Sequence, residues 1–282
     1  MPRFKRYRPV SSYRTARALG LHRASQVARA RRLSEELERR WGQLRLHCDD
    51  EGSRARLERL LARLETVDRG GQESAIAELE LATLLVRAGS RVGFLPESRA
   101  RSADLECHLR GERFFVEVTA MVGTVERSLR LGEEAADYDA ESEDKPPTSE
   151  QIFMDALLAR IAQKAKQLVD YCAPVVLAIS VPRLDDDVPS GRWAPRLTLD
   201  VKYLAGAISL LLPKARHLSS VLIALWEVEP MLSTSAVRLK NVAIVERSRQ
   251  QVGYPRLRLL VQNPAAAWPL TEGQREVFRG IL

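Results

Sequence analysis

Residues 103–120 read ADLECHLRGERFFVEVTA, and this stretch decides how the chain is expected to fold. Two strand-like runs, residues 104–109 and 113–120, stand on either side of an Arg-Gly-Glu break at residues 110–112. The first run alternates polar and apolar residues and the second is rich in β-branched and aromatic residues, so with a glycine between them they predict two strands joined by a turn. The chain is therefore expected to contain a β-hairpin here.

Acidic side chains fall at particular positions of this hairpin. Side chains alternate along a strand, so Asp104 and Glu106 share one face of the first strand, and Glu117 shares a face of the second with Thr119. Glu117 stands inside an apolar run, which is typical of a central strand. Two adjacent strands could bring Asp104 and Glu117 close together. Clustered carboxylates repel one another unless a cation is present, and their hard oxygens suit Mg²⁺ or Mn²⁺.

A helix is predicted before the hairpin, over about residues 73–88. Glu78 precedes Ala82 by four residues and Leu85 by seven, which places all three on one face. A carboxylate on an apolar stripe is costly unless it is paired or bound to a metal. Glu80 points elsewhere on the helix and is expected to be solvated.

The other elements indicate a mixed α/β domain over residues 70–282. Thr148 or Ser149 can cap a long helix that continues to about Tyr171. An order in which helices alternate with strands favours a sheet flanked by helices. The remaining predicted elements are strands over 91–95, 175–181, 221–226 and 242–245, and helices over 202–212 and 272–280.

Three further segments have distinct compositions. Residues 1–20 are predicted to be a basic arm, and residues 21–68, in which leucines recur at steps of three and four, a helical hairpin. Residues 133–147 carry seven acidic side chains and end in two prolines, which predicts a solvated loop. The functional alternatives for this loop are a lid or an acidic mimic of DNA.

Positive charge is concentrated near the start of the sequence. The formal net charge is +7, and residues 1–34 contain ten Lys or Arg residues and no acid. Such a segment favours a polyanion through phosphate neutralisation and counterion release. The alternative is a basic tail without a specific function. The side chains expected to contact nucleic acid are Arg3, Lys5, Arg6, Arg8 and Arg101.

Composition argues against several classes of protein. No apolar run approaches the roughly 20 residues that span a bilayer, and the basic N-terminal segment lacks the apolar stretch of a secretory signal. The three cysteines are far apart, which favours reduced thiols in a cytosol over a disulfide framework. The four histidines show no zinc-ligand spacing. A cytoplasmic protein that does not contact a membrane is expected.

The acids of the helix and the hairpin follow the order of a known nuclease superfamily. The pattern Glu78, Asp104 and Glu117-Val118-Thr119 resembles the PD-(D/E)XK, or restriction-endonuclease-like, superfamily, and its spacing is similar to that of archaeal Holliday-junction resolvases. The resemblance covers residues 73–181. It implies a restriction-endonuclease-like core in which Glu78, Asp104 and Glu117 bind Mg²⁺ or Mn²⁺, and hydrolysis of phosphodiester bonds in DNA.

Two positions depart from the pattern of this superfamily. Ala103 stands where a proline is usual, and Thr119 stands where a lysine supplies positive charge near the attacking water and the phosphate. A threonine hydroxyl can donate a hydrogen bond but carries no charge. On the helix after the hairpin, Gln167 could orient a water or a phosphate. The candidates for a replacement cation are Lys164, Lys166 and Arg101.

The residues leave several interpretations open. The first is a Mg²⁺-dependent endonuclease, and the second is a catalytically impaired nuclease-like module that binds nucleic acid or protein. Self-association through the leucine-rich hairpin, giving a homodimer, is compatible with either. Each acid also has a structural interpretation: Glu78 as a helix N-terminal acid, Asp104 as the residue that opens a strand, and Glu117 as a partner of Arg113 or of a hairpin arginine.

Overall fold

The structure is a computed structural model, and it describes residues 35–66, 68–96, 103–137, 146–182, 196–226, 228–231, 239–247 and 254–282. The basic arm and residues 138–145 of the acidic segment lie outside the described residues. The expected nucleic-acid contacts therefore stay predictions, because they too lie outside: Arg3, Lys5, Arg6, Arg8 and Arg101.

Helices and strands follow one another in short groups along the described chain. The helices are α1 (residues 35–47), α2 (Glu51–Leu64), α3 (Arg69–Arg87), α4 (Thr124–Asp137), α5 (Ser149–Ala165), α6 (Val201–Leu211) and α7 (Glu272–Gly280). The strands are β1 (Arg91–Phe94), β2 (Leu105–Leu109), β3 (Glu112–Ala120), β4 (Val175–Val181), β5 (Leu197–Asp200), β6 (Ser220–Leu225), β7 (Val228–Met231), β8 (Val242–Glu246) and β9 (Leu257–Gln262).

A mixed seven-stranded sheet with the order β1-β2-β3-β4-β6-β9-β8 forms the centre of the fold. Strands β3, β4 and β6 are parallel, and the strands on both sides of this trio pair antiparallel. β5 and β7 form a separate two-stranded parallel sheet. Strand β4 is apolar at every position except Ser180 because parallel strands are covered on both faces.

Each face of the sheet packs against its own hydrophobic core. On one face, Phe114, Val116 and Val118 of β3 pack with buried residues of α1, α2, α3 and α7. On the other face, Phe115 packs with buried residues of α5 and α6. The alternation of side chains along β3 therefore assigns the odd-numbered residues after Phe115 to the side of α5. The predicted α/β class, with a mixed sheet flanked by helices, is confirmed.

The predicted hairpin of β2 and β3 has a tight turn. Arg110 and Gly111 connect the strands with φ angles of 51° and 86°. Two successive residues with positive φ match the right-handed twist of a hairpin, and glycine adopts this conformation without strain. The strand register runs from Leu109 opposite Glu112 to Leu105 opposite Val116. The last four residues of β3 therefore extend past the start of β2.

Several predicted boundaries were wrong. Residues 133–137 continue helix α4 instead of starting a loop, because Val125 and Leu129, four residues apart, pack against the second core and hold an amphipathic helix there. Helix α5 ends at Ala165, not near Tyr171. The strands β5, β7 and β9 and the helix α4 were not predicted; β9 is buried on both faces and lacks alternation.

The expectation that Glu80 is solvated was also wrong. Its side chain is buried on the inner side of α3, where Oε1 accepts a hydrogen bond from Arg258 Nη2 at 2.7 Å. A second arginine, Arg40, lies 3.8 Å from its Oε2. Because Arg258 is itself buried, each charge supplies the compensation that the other needs in a place without water.

In the described part of the chain, no helix is both long enough and apolar enough to cross a membrane.

We expect Glu80→Ala to destabilise the protein by about 3–5 kcal/mol, because it leaves the buried Arg258 without its carboxylate. Urea denaturation measures this loss. Glu134→Ala on α4 is the matched control, since Glu134 forms an exposed pair with Arg130 and its removal should change stability little. Equal losses of stability in Glu80→Ala and Glu134→Ala would contradict the role of Glu80 as the buried partner of Arg258.

Candidate functional site

Asp104 lies where β2 separates from β3, and its side chain accepts a hydrogen bond from the main chain of β3. Its N–H donates to the Val116 carbonyl at 3.1 Å, the last rung of the pairing. One step further, the Val118 N–H donates to Asp104 Oδ2 at 2.8 Å. The carboxylate therefore accepts the hydrogen bond that a carbonyl of β2 would accept if the pairing continued, and this holds it at the notch between β2 and β3, the point where the two strands separate.

The residue before Asp104 is held by an aromatic side chain that follows α5. The Ala103 N–H donates to the hydroxyl oxygen of Tyr171. The Tyr171 ring packs on Phe115 of β3, with 4.4 Å between the ring centroids. This contact anchors the start of β2 to the α5 side of the sheet and restricts where the Asp104 carboxylate can move.

The second predicted acid, Glu117, meets Asp104 at the notch. Glu117 and Asp104 are close enough to interact, since Asp104 raises the pKa of Glu117 through its charge and through a hydrogen bond between the two side chains. Lys164 of α5 also reaches this point, and its Nζ lies 2.5 Å from Glu117 Oε1. The sequence-predicted residues Asp104, Glu117 and Lys164 thus share one site.

Glu78 reaches the same site from α3 and is bridged to Asp104 by an arginine of α2. Arg56 Nη2 lies 3.2 Å from Glu78 Oε2 and 3.5 Å from Asp104 Oδ1. Arg56 and Glu78 are both almost completely buried, with 2% and 3% exposure. A cation that belongs to the protein therefore lies between these two acids.

Thr119, which follows Glu117 on the same face of β3, also has a cationic neighbour. Arg160 Nη2 donates to Thr119 Oγ1 at 2.7 Å, and Nη1 of the same guanidinium donates to Gln163 Oε1 at 2.9 Å. Arg160 and Lys164 are four residues apart on α5, so both project from one face of this helix. Helix α5 thus presents two positive charges to the part of β3 that carries Glu117 and Thr119.

The carboxyl groups of the site hold protons more tightly than free carboxyl groups do. Burial, and next the neighbouring Asp104, raise the pKa of Glu78 from an ordinary value of 4.5 to about 8. The same two causes raise the pKa of Glu117 to about 7, although Lys164 opposes them. Burial also raises the pKa of Asp104, against the hydrogen bond from Val118. The negative charge of the three acids is therefore only partly balanced by Arg56 and Lys164.

Two residues proposed from the sequence lie away from this cluster. Because α5 ends at Ala165, Gln167 lies in the following turn and not one helical turn beyond Lys164. Lys166 is the C-cap residue of α5 and is exposed. Among the described residues, no hydrogen bond joins either side chain to Asp104, Glu117 or Thr119. The third candidate cation, Arg101, lies outside the described residues.

Sequence reasoning missed Arg56 and Arg160. Arg56 falls on the buried stripe of α2, between Ser53 and Leu60 at helical spacing, and an arginine at such a position signals a buried partner. Arg160 stands four residues before Lys164, so its place on the same face could have been predicted once Lys164 was a candidate. Nothing in the local sequence of α2 indicates that the partners of Arg56 are Glu78 and Asp104.

The chemistry of Asp104 and Glu117 fits one divalent cation better than the full three-acid set does. Two carboxylates in hydrogen-bond contact can supply oxygens to a single Mg²⁺, which commonly takes one or two carboxylates and completes its shell with water. Glu78 is separated from this pair by Arg56. Within the described residues, no group of three or more His, Cys, Asp and Glu side chains is arranged to hold a metal ion.

The raised pKa values predict that stability falls with increasing pH. The folded state keeps protons that the unfolded state releases, so Glu78 contributes most below about pH 4.5, and this contribution is lost as the pH rises through about 8. We expect the melting temperature, measured by differential scanning fluorimetry without divalent cations, to fall between pH 5 and pH 8 on the order of several degrees.

Glu78→Gln should flatten this fall, because the amide resembles the protonated acid and cannot ionise. Glu58→Gln, an equivalent change at an exposed position of α2, is the control and should leave the pH profile unchanged. A Glu78→Gln profile as steep as that of the wild type would refute the assignment of the buried proton to this site.

Comparisons of the chain with protein-family models, with curated proteins and with solved structures found no match. The case for a function therefore depends on the side chains at the notch. These are two hydrogen-bonded carboxyl groups, a third acid bridged to them by a buried arginine, and a lysine and an arginine presented by α5.

Proposed function

We propose that this protein is a metal-dependent nuclease with a restriction-endonuclease-like core, and that it hydrolyses phosphodiester bonds in DNA. The observation that carries the proposal is the meeting of Asp104, Glu117 and Lys164 at the notch between β2 and β3. Two acids and a lysine at the end of a hairpin match the chemistry that the resemblance implies. The charge of the missing motif lysine is supplied from α5.

Each of these residues has a role that follows from its contacts. Asp104 and Glu117 would hold one Mg²⁺ or Mn²⁺ ion. When bound, such an ion polarises a phosphate oxygen and lowers the pKa of a coordinated water. Asp104 is kept in position by the Val118 N–H at Oδ2, while its Oδ1 lies 3.5 Å from Arg56 Nη2. The short contact with Lys164 orients the Glu117 carboxylate.

The cations on α5 support binding of a phosphate next to the carboxylates. Lys164 and Arg160 bring two positive charges to the face of β3 that carries Glu117 and Thr119. Both charges lie beside the place where a scissile phosphate would approach the acid pair, so they would offset the repulsion between the phosphate and the carboxylates. Arginine also matches phosphate oxygens with a planar pair of donors.

The position of Arg56 favours a second candidate function. In this function the protein is a nuclease-like module that binds nucleic acid or protein without cutting it. The Arg56 guanidinium lies between Glu78 and Asp104, where it neutralises charge that a metal ion would otherwise balance. In this function the notch would be a structural ion-pair network. The predicted homodimer is compatible with either function and stays a prediction.

Asp104→Asn and Glu117→Gln should each reduce cleavage of plasmid DNA in Mg²⁺ by more than about 100-fold. Mutation of a residue that only hydrogen-bonds to a metal ligand already lowers metal affinity or activity about 10–100-fold, and these two residues are the proposed ligands themselves. Glu106→Gln, on the neighbouring strand and paired with His108 and Arg113, is the matched control and should retain activity. Circular dichroism would establish that the variants fold. If both variants cut as well as the wild type, the nuclease proposal fails.

Lys164→Ala should reduce cleavage strongly, while Lys166→Ala, two residues away and exposed, should leave it near the wild-type rate. The reason is that only Lys164 contacts the acid pair. Calorimetric titration with Mn²⁺ separates the two candidate functions. The nuclease must bind the ion, and Asp104→Asn should weaken that binding. An absence of both cation binding and cleavage would favour the binding module.

A further inference from the structure

A second cleft lies at the turn end of the β2–β3 hairpin, away from the acids. Its volume is about 530 Å³, within the range of small-ligand sites. The cleft is bordered by the C-terminal end of α3, the hairpin turn, α7 and β9. Asp104 stands at the other end of β2. It is roughly 17 Å away, because each residue of a strand advances the chain by about 3.3 Å. The two sites are therefore separate.

Four arginines from four different elements converge on this cleft: Arg87 of α3, Arg110 of the turn, Arg247 after β8, and Arg258 of β9. Arg247 is oriented by the main-chain oxygens of Pro255 and Leu282, at 3.4 and 3.2 Å, and its guanidinium lies 5.1 Å from the ring centre of Tyr254. Arg258 is buried and paired with Glu80 beneath the cleft. The site is thus built from fixed as well as exposed arginines.

The positive charge of the cleft is not balanced by the side chains around it. Among the described residues that line it, Glu276 carries the only side-chain carboxyl group. Within the described chain, Arg87, Arg110 and Arg247 have no Asp or Glu partner within 4.0 Å. Arg87 instead donates to the neutral amide oxygen of Gln43 at 3.1 Å. Arginines that outnumber the carboxyl groups around them are suited to bind phosphate oxygens.

The remaining lining is apolar and aromatic. Leu84, Leu109, Val277 and Ile281 form an apolar floor, and Tyr254 is 44% exposed at the rim with Arg247 over its ring. A bare phosphate would leave this surface unused, whereas a nucleobase can stack on an aromatic ring and pack against apolar side chains.

From this combination of arginines, apolar floor and exposed tyrosine, we propose that the cleft binds a nucleotide. The phosphate contacts Arg87, Arg110 and Arg247, and the base packs against Tyr254 and the apolar floor. The same chemistry could come from a free nucleotide or from a nucleotide of a single-stranded nucleic acid. The proposal does not depend on the nuclease function of the notch.

Calorimetric titration with AMP, adenosine and inorganic phosphate tests the proposal. We expect AMP to bind at least about tenfold more tightly than adenosine or phosphate alone, because only AMP makes both kinds of contact. Arg87→Gln/Arg110→Gln should weaken AMP binding at least about tenfold, since it removes two charge-assisted contacts. Arg110 has a positive φ angle. Glutamine carries a Cβ atom as arginine does, so the substitution does not change the backbone strain at this position.

Arg275→Gln/Arg279→Gln is the matched control, because it removes the same charge from α7 outside the cleft. AMP affinity within twofold of the wild type is expected for this variant. Equal losses in both double variants, or no AMP binding at millimolar concentration, would overturn the proposal. A short single-stranded oligonucleotide identifies the source: its affinity falls in Arg87→Gln/Arg110→Gln if strands bind here, and stays unchanged if the cleft takes free nucleotides.

Discussion

The burial of negative charge at the notch between β2 and β3 is the constraint on which the arrangement of the surrounding elements depends. Three carboxyl groups, from Glu78, Asp104 and Glu117, are withdrawn from water at one place, which is unfavourable unless each finds compensation. That compensation comes from Arg56 of α2, from Lys164 of α5 and from a main-chain N–H of β3. The notch thereby connects helices on both faces of the sheet.

Local pattern was sufficient to predict the parts of this arrangement that are close in sequence. The hairpin follows from two strand-like runs around residues 110–112, and its turn brings Asp104 opposite the middle of β3, near Glu117. Lys164 could be proposed from the order of elements, because a helix that connects parallel strands must cover the sheet. The predicted position of Gln167 was wrong because it assumed that α5 continues past Ala165.

Pairings across the layers could not be predicted from the sequence. Arg56 stands 22 residues before Glu78 and 48 before Asp104, and Glu80 stands 178 residues before Arg258. Which buried arginine meets which buried acid depends on how α2, α3 and β9 pack, and periodicity alone carries no information about it. Glu78 and Glu80 were distinguished by helix face, yet both became buried because α3 contacts β3 on one side and the region of β9 on another.

Arg56 and Glu117 would respond differently to the binding of a metal ion at the notch. Arg56 is almost completely buried, and its single guanidinium lies between Glu78 and Asp104. Glu117 is different, since burial and the neighbouring Asp104 raise its pKa only to about 7. A divalent cation at Asp104 and Glu117 would favour the ionised form of Glu117 and leave Arg56 with Glu78. A buried arginine and a metal-binding acid pair are therefore compatible in one notch, and the affinity for the ion should increase as the pH rises through the pKa of Glu117.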